Sequence, residues 1–276
     1  MLHQVIHLKD HFAFLGNDDC DPTLTTYLYD TPWDSKDVQQ PKPGLLILPG
    51  GGYYFVSGRE GEPVALNFMA KGYRVFVLNY SVHPHRFPTA IREVAAAIEL
   101  IHANAEAWNV DTARIAIMGF SAGGHLAGHY SNCYDHPQVR DRFPESKPVN
   151  AAVLCYAVTT ALPEHRHVKS FIHLTGNNPP TEEDVEKYSL NNLVSEKTPP
   201  TFLWHTRTDT TLSVMNTLLY AQALAVQGTP FALHIYPFGP HGLSTADQLV
   251  KSEIPENVAQ VHGWMDEAAL WLSQNL

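Results

Sequence analysis

Short apolar runs alternate along the chain with longer segments whose apolar residues recur every three or four positions. The runs at 44–48 and 151–156 have the length of strands that are buried on both faces of a parallel sheet. The segment after Pro88 has instead the apolar spacing of an amphipathic helix, and so does 258–272. This alternation predicts an α/β fold with a doubly wound, mostly parallel sheet and helices on both faces.

Glycine, proline and polar clusters divide the chain into the individual elements. Strands are predicted at 4–8, 24–29, 44–49, 73–80, 114–118, 151–156, 201–204 and 231–236. Helices are predicted at 61–71, from Pro88 onward, at 122–130, at 214–225 and at the C-terminal end, with a separate turn at 111–114.

One polar segment, 159–198, interrupts the alternation. It contains several histidines, two consecutive prolines and the acidic run Glu182-Glu183-Asp184. A connection of that length in a compact domain usually has a function or contains helices of its own. We expect a small cap inserted into a single domain that spans 1–276, and a plain surface excursion is the alternative.

Charge and composition exclude several classes of partner. The net charge of −10, without clusters of lysine and arginine, argues against nucleic-acid binding. No apolar window approaches the ~20 residues that cross a membrane, and no secretory signal is recognisable at the N-terminus. The cysteines, Cys20, Cys133 and Cys155, are too widely spaced for a disulfide framework or a C-x-x-C site. A cytoplasmic protein with reduced thiols is expected.

The segment Gly119-Phe120-Ser121-Ala122-Gly123 matches G-x-S-x-G between a predicted strand and a predicted helix of small residues. Small residues let the strand and helix approach, and the sharp turn pushes the serine hydroxyl out of the sheet. The helix start also directs free N–H groups at any developing negative charge. Ser121 is therefore the predicted nucleophile, and a tight turn with an incidental serine is the alternative.

A second glycine-rich turn, Pro49-Gly50-Gly51-Gly52-Tyr53, follows the buried run at 44–48. Three glycines let the backbone pass close to a ligand. The N–H groups of Gly51, Gly52 and Ala122 are the predicted donors to an oxyanion. Neither G-x-G-x-x-G nor G-K-[ST] occurs here, which disfavours a phosphate-binding loop; a flexible turn is the remaining alternative.

Together these motifs resemble α/β-hydrolases of the hormone-sensitive-lipase-like and acetyl-esterase group, especially small esterases that act on acetylated or feruloylated carbohydrates. The resemblance implies the α/β-hydrolase fold, a serine mechanism and no cofactor. It is carried by Pro49 through Tyr53, Asn79-Tyr80, Phe87-Pro88, Asp111 through Ile115, Gly119 through Gly124, His205 through Asp209, and Pro240-His241-Gly242.

The resemblance also implies the other two members of a catalytic triad. A carboxylate is expected after the seventh strand of the fold, where Asp209 lies, and a histidine after the last strand, where His241 lies. Ser, Asp and His then follow in the chain order of this fold. From the residues alone the assignment stays open: the chain has 16 histidines, Asp209 could cap the next helix, and Asp247 is the reserve acid.

Two positions depart from many relatives. Pro49 stands where many lipase-like relatives have a histidine before the glycines, and in this the chain resembles the carbohydrate-esterase branch. Glu93 stands where many lipase-like relatives have an aspartate after Phe-Pro. These departures concern the subfamily rather than the chemistry.

Four further residues are candidates for contacts in the site. Tyr53 and Tyr54 follow the glycine turn and are predicted to bind substrate as walls of an acyl pocket, with simple packing as the alternative. His125 and His129 have a spacing found in zinc sites, but no H-E-x-x-H motif and no third ligand accompany them, so no metal is expected.

The function expected from these residues is hydrolysis of acyl esters through an acyl-enzyme. The resemblance implies that the substrates are short-chain esters, including acetylated carbohydrates. Two alternatives stay open: amide hydrolysis by the same triad, as in related peptidases and arylformamidases, and a hydrolase-fold binding protein without turnover. The expected partner is a small-molecule ester. The oligomeric state is open, with a homodimer as one alternative.

Overall fold

An eight-stranded sheet runs through the residues that the computed structural model describes, which are 1–18, 20–31, 34, 40–250 and 256–276. The rest of the predicted 1–276 domain lies outside the described residues. The strands are β1 Val5–His7, β2 Thr23–Tyr27, β3 Lys42–Leu48, β4 Arg74–Asn79, β5 Val110–Phe120, β6 Ala151–Cys155, β7 Thr201–Thr206 and β8 Phe231–Tyr236. Their spatial order is β1-β2-β4-β3-β5-β6-β7-β8. β2 is antiparallel to β1 and β4, and the other neighbouring pairs are parallel.

The helices connect successive strands and lie against the sheet. They are α1 Glu62–Ala70, α2 Thr89–Ala103, α3 Ala105–Trp108, α4 Ser121–Cys133, α5 Pro137–Arg140, α6 Val168–Thr175, α7 Glu182–Tyr188, α8 Leu190–Leu193, α9 Met215–Gln227 and α10 Trp264–Asn275. None of the helices in the described ranges is long and apolar enough to cross a membrane.

Both faces of the sheet are buried, because successive side chains of the central strands enter two different cores. In β3, Leu46 and Leu48 pack in the core that includes α2 and α4, whereas Leu45 and Ile47 pack in the core that includes α1 and α10. This alternation is the period of two that a strand imposes on its side chains. It explains why these strands read as continuous apolar runs, and it confirms the predicted doubly wound, mostly parallel sheet.

Two predicted boundaries are wrong. The turn expected at 111–114 lies inside β5, because pairing with β3 jumps from Asp111 to Ile115 and the residues between them bulge out. The Asp111 carboxylate accepts the Ala113 N–H at 3.0 Å and the Arg114 Nε–H at 2.7 Å, which closes a turn within the strand. At the C-terminal end, 256–263 forms a 3-10 helix, so α10 begins later than its apolar pattern suggested.

The strand order brings the two sequence motifs together. The chain leaves β3 toward β4 on one side and returns to β5 on the other, so the strand order reverses between β3 and β5. Ligands in such sheets bind beyond the carboxyl ends of the strands at this switch point. Leu48 pairs with Gly119 at the ends of β3 and β5, which places the glycine turn beside Ser121.

The glycines that flank Ser121 are required by the close approach of backbone segments. A Cβ on Gly123 would overlap the carbonyl oxygens of Leu48 and Pro49 and lie 2.7 Å from the Pro49 carbonyl carbon. A Cβ on Gly119 would lie 2.6 Å from the carbonyl carbon of Gly123. These neighbours are backbone atoms of the sheet and the turn, so no side chain can rotate away to make room.

Gly123→Ala is expected to destabilise the protein by more than about 3 kcal/mol, because the added methyl group must displace backbone. Urea unfolding monitored by circular dichroism measures the loss. The matched control is Gly263→Ala, where the new Cβ meets no atom of another described segment within 4 Å, and its expected change is within about 0.5 kcal/mol. Equal stabilities for the two variants would contradict the close-approach explanation.

Candidate active site

Ser121 lies where β5 ends and α4 begins, in a strained backbone conformation. Its φ angle is 51°, in the left-handed region that non-glycine residues seldom adopt. Such a conformation costs on the order of 1–3 kcal/mol, and the surrounding glycine contacts maintain it. The strain has a geometric result: the hydroxyl leaves the sheet and lines a cavity at the carboxyl ends of the strands.

A chain of hydrogen bonds links Ser121 to the two residues predicted to act with it. His241 Nε2 lies 2.9 Å from Ser121 Oγ, and His241 Nδ1 lies 2.6 Å from Asp209 Oδ2. Asp209 follows β7 and His241 follows β8, two adjacent parallel strands whose carboxyl ends lie together. The structure therefore brings the three predicted residues, which are far apart in sequence, into one contiguous arrangement.

The partners of the His241 ring define its tautomer. A carboxylate can only accept, so His241 Nδ1 carries the proton that it donates to Asp209. In the neutral ring, Nε2 then has a free lone pair and accepts the hydrogen bond from the Ser121 hydroxyl. His241 is thus in the form that can take a proton from the serine.

Asp209 is a buried carboxylate with four hydrogen-bond donors. Its Oδ1 accepts from the main-chain N–H groups of Thr211 and Leu212 at 2.8 and 2.9 Å. Its Oδ2 accepts from His241 and from His205 Nε2, the latter at 3.2 Å. Burial by itself raises the pKa of Asp209, but the hydrogen bonds from His205 and His241 outweigh it and hold that pKa well below its usual value. The carboxylate is charged at neutral pH.

His205 belongs to a segment that carries the resemblance, but the sequence assigned it no role in the site. Its side chain is fully buried, and its Nε2 faces two acceptors, Asp209 Oδ2 and the Leu212 carbonyl, so that nitrogen carries the proton. Its Nδ1 then accepts from the Thr217 hydroxyl at 2.7 Å. The sequence signal is the spacing of four residues between His205 and Asp209, which does not by itself single out His205 among the 16 histidines of the chain.

Three backbone N–H groups near Ser121 are available to an oxyanion. Gly51 and Gly52 line the cavity, and their N–H groups donate to no other described residue. Ala122 is in the first turn of α4, where N–H groups lack helical acceptors, and no side chain caps that end. These are the three donors predicted from the sequence.

Buried side chains fix the glycine turn relative to the rest of the site. Glu60 accepts the Gly50 N–H at 2.8 Å and the Tyr156 hydroxyl at 2.7 Å. The Tyr156 oxygen in turn accepts the Ser244 N–H at 3.0 Å, which connects the glycine turn to the segment that carries His241. From the other side, His173 of α6 donates to the Gly52 carbonyl at 2.8 Å. Preorganised donors of this kind need no reorganisation during a reaction.

The cavity above Ser121 has a volume of about 470 Å³. Of the two predicted substrate-binding tyrosines, only Tyr54 lines it, together with Phe55. The Tyr53 side chain is in the core, 3% exposed, where its hydroxyl lies 2.8 Å from His125 Nδ1. The expectation for Tyr53 is thereby corrected: its φ of 57° turns the chain so that adjacent tyrosines point to opposite sides.

The histidine pair that suggested a metal site is occupied by other contacts. His125 Nδ1 faces the Tyr53 hydroxyl and its Nε2 lies 2.9 Å from the Tyr188 carbonyl oxygen. His129 stacks on Phe87 with ring centroids 5.3 Å apart. Within the described parts of the chain, no group of three potential metal ligands occurs.

Glu93 is a buried carboxylate that supports the segment after β4. It accepts the Ser81 N–H at 2.6 Å and the Ser81 hydroxyl at 2.5 Å, and the His83 N–H nearby donates to the Tyr53 carbonyl at 2.7 Å. Burial raises the pKa of Glu93 from 4.5 to about 7, although the Ser81 hydrogen bonds oppose the rise. Glu93 thus supports the glycine turn indirectly, and burial disfavours the charged form of its carboxylate.

Glu93→Gln is expected to remove a contribution that lowers stability as pH rises between about pH 4.5 and 7, so the slope of stability against pH should be more positive in the variant than in the wild type. The folded protein keeps the Glu93 proton to about pH 7, while the unfolded chain releases it near pH 4.5. The Glu93 contribution to stability therefore falls as pH rises through this window, by about 1–3 kcal/mol, and stays lower above it, while buried His125 and His129, whose pKa values burial lowers, contribute in the opposite direction. Urea unfolding at a series of pH values measures the slope. Glu106→Gln, at an exposed position, should retain the wild-type slope, and an unchanged slope in Glu93→Gln would contradict the assignment.

Comparison with known proteins places the fold and the motifs in a family. Residues 33–224 match the family model described as BD-FAE. The solved structure of an acetyl ester-xyloside bifunctional hydrolase from Caldicellulosiruptor lactoaceticus is similar, with a TM-score of 0.81, 35% identity, and coverage of 98% of this chain and 96% of that chain.

Two curated proteins are also similar to this chain. Endo-1,4-beta-xylanase B from Butyrivibrio fibrisolvens is 35% identical over 82% of this chain and 35% of that protein. Acetylxylan esterase from Xylanibacter ruminicola is 31% identical over 72% of this chain and 40% of that protein. The matched segments thus span well under half the length of both curated proteins.

Proposed function

Because this chain belongs to the BD-FAE family of α/β-hydrolases, we propose that it is a serine esterase that removes short acyl groups, including acetyl groups on carbohydrates. The family membership agrees with the resemblance inferred from the motifs. Ester hydrolysis is the activity named for relatives of this chain, and we extend it to this chain as part of the proposal. The choice of substrate and the roles of individual residues are the rest of the proposal.

One observation carries the proposal: the hydrogen-bond chain from Asp209 through His241 to Ser121 Oγ ends in a cavity that is also lined by Gly51 and Gly52, whose backbone N–H groups donate to no described residue. A nucleophile, a base, an orienting carboxylate and oxyanion donors are the parts that acyl transfer needs. Their coincidence in one cavity supports a catalytic role rather than ligand binding alone.

In the proposed reaction, His241 Nε2 takes the hydroxyl proton while Ser121 Oγ bonds to the ester carbonyl carbon. The carbonyl oxygen becomes an oxyanion that accepts hydrogen bonds from the N–H groups of Gly51, Gly52 and Ala122. The tetrahedral intermediate collapses, the bond to the alcohol oxygen breaks, and His241 returns its proton to that oxygen. Water then repeats the sequence on the acyl-enzyme, with His241 as base, and releases the carboxylic acid.

The insertion at 159–198 is proposed to act as a cap of the hydrolase domain. One wall of the cavity is formed by its helix α6, through Lys169, Ile172 and His173, and by His167, which directly precedes that helix. The cavity volume lies in the range of pockets that bind one small ligand, so a short acyl group and part of an alcohol together fill it. The substrates named for the acetylxylan and acetyl ester-xyloside relatives agree with this size.

The test is hydrolysis of p-nitrophenyl esters from acetyl to octanoyl, beside acetylated xylo-oligosaccharides and p-nitroacetanilide. We expect kcat/KM to fall steeply beyond butyryl, acetate to be released from the oligosaccharides, and the anilide to react far more slowly than the acetate ester. A dominant anilide rate would favour amide hydrolysis instead. A folded protein that turns over none of these substrates would overturn the esterase proposal.

A further inference from the structure

Two cationic side chains in the catalytic cavity have no acidic partner among the described residues. Arg59 and Lys169 both line the cavity that contains Ser121, and neither forms an ion pair with any described carboxylate. Many other cations of this acidic chain are paired, including Lys71 with Asp266, Arg92 with Asp141, Arg114 with Asp111, Lys147 with Glu99, Lys187 with Glu183 and Lys197 with Asp135. Others, such as Arg86 and Arg207, also form no ion pair with a described carboxylate, but they do not line this cavity.

Arg59 lies beside the segment that carries the proposed base. Its Cζ is 3.2 Å from the position that a Cβ would take on Gly242, the residue after His241. The Arg59 main chain is fixed there as well, because the Ser244 hydroxyl donates to its carbonyl at 2.5 Å. The guanidinium thus lies beside the residue that follows the proposed base, on the lining of the cavity.

Lys169 reaches the cavity from the opposite element, the first turn of α6. Its charge acts on other groups of the cavity: burial lowers the pKa of His167, and the charges of His241 and then Lys169 lower it further. Two positive side chains from separate segments therefore face the same cavity.

The position of Glu60, an acidic residue of the cavity lining, indicates where an anionic group of a substrate would bind. Glu60 is 2% exposed and its carboxylate accepts from the Gly50 N–H and the Tyr156 hydroxyl, so negative charge is already present at the buried side. A second carboxylate there would be repelled. Arg59 and Lys169 are exposed side chains at the mouth of the cavity.

We propose that Arg59 and Lys169 form an anion subsite for the alcohol part of the substrate, so that preferred substrates are acyl esters of alcohols that bear a carboxylate, such as acidic sugars. This inference rests on the proposed esterase function and specifies that the alcohol released by the reaction is negatively charged. A guanidinium binds a carboxylate with two parallel hydrogen bonds, and an ammonium adds a point charge.

The test compares 3-acetoxybenzoate with the neutral 3-acetoxybenzamide at pH 8, above the ordinary pKa of histidine. The measured quantity is the ratio of kcat/KM for the two esters, each divided by its rate of hydroxide hydrolysis. We expect a ratio of about ten for the wild type at low salt, falling as salt screens the charges. Arg59→Gln and Lys169→Gln should each lower the ratio, and the double variant should bring it to about one.

Lys187→Gln is the matched control, because it removes one positive charge from the same insertion outside the catalytic cavity. It should keep the wild-type ratio. A wild-type ratio near one, or a high ratio that persists in the double variant, would overturn the anion subsite. Hydrolysis of the benzamide ester would in that case still support the esterase proposal. Failure to hydrolyse either ester would overturn both.

Discussion

Ser121→Ala is expected to lower kcat for p-nitrophenyl acetate by a factor of at least about 10⁴, because the Ser121 hydroxyl is hydrogen-bonded to the proposed base and is the atom that forms the acyl-enzyme. Folding should be little affected: the Ser121 hydroxyl has one hydrogen-bond partner, His241, and alanine has the same Cβ. The measurement is steady-state hydrolysis of the purified variant, with thermal unfolding to establish that the fold is retained.

Ser131→Ala is the matched control for this variant. Ser131 is a serine of the same helix, but its hydroxyl donates to the Ala127 carbonyl at 2.8 Å, outside the cavity. It should retain wild-type kcat and react with a fluorophosphonate probe, whereas Ser121→Ala should not be labelled. Full activity or full labelling of Ser121→Ala would contradict the assignment of the nucleophile.

The sequence predicts those parts of the site whose role depends on the conformation of the local backbone. The G-x-S-x-G segment predicts Ser121 because Gly119 and Gly123 are needed for a turn in which backbone carbonyls leave no room for a Cβ. The glycine turn after β3 is predictable for a similar reason. The element pattern was sufficient for the doubly wound sheet, since buried parallel strands produce uninterrupted apolar runs.

The parts that escaped prediction depend on side-chain direction or on distant segments. Tyr53 and Tyr54 are adjacent and chemically identical, yet the left-handed backbone of Tyr53 sends one ring into the core and leaves the other at the cavity. Glu60 and Arg59 are also adjacent, and only the tertiary structure shows that one is buried while the other is unpaired. His205 touches Asp209 through a turn whose geometry no pattern encodes.

The buried polar contacts explain how a strained site stays rigid. Glu60 joins the glycine turn to Tyr156, and Tyr156 joins both to the Ser244 N–H near His241. A network of this kind fixes oxyanion donors and base relative to each other, which is the preorganisation that electrostatic catalysis needs. The nucleophile, its base and the oxyanion donors therefore form one connected unit in the fold.

Asp209→Asn is expected to lower kcat by about 10⁴, because it reverses the tautomer of His241. Asp209 Oδ1 accepts from the N–H groups of Thr211 and Leu212, so the asparagine carbonyl oxygen must take that place. The amide NH₂ then faces His241 Nδ1 and can only donate. His241 must accept at Nδ1 and carry its proton on Nε2, where it has no lone pair for the Ser121 hydroxyl.

Asp247, the alternative candidate for the catalytic acid in the sequence analysis, supplies the control for this prediction. Asp247 accepts from the Thr245 hydroxyl at 2.7 Å and from the Leu249 N–H at 2.9 Å, and it does not line the cavity. Asp247→Asn should therefore keep kcat for p-nitrophenyl acetate within about twofold of the wild type. If Asp247→Asn instead lost activity while Asp209→Asn retained it, the carboxylate behind His241 would be misassigned. Loss in Asp209→Asn alone, with thermal stability lowered by no more than about 1–3 kcal/mol, is the result that the four hydrogen bonds to Asp209 predict.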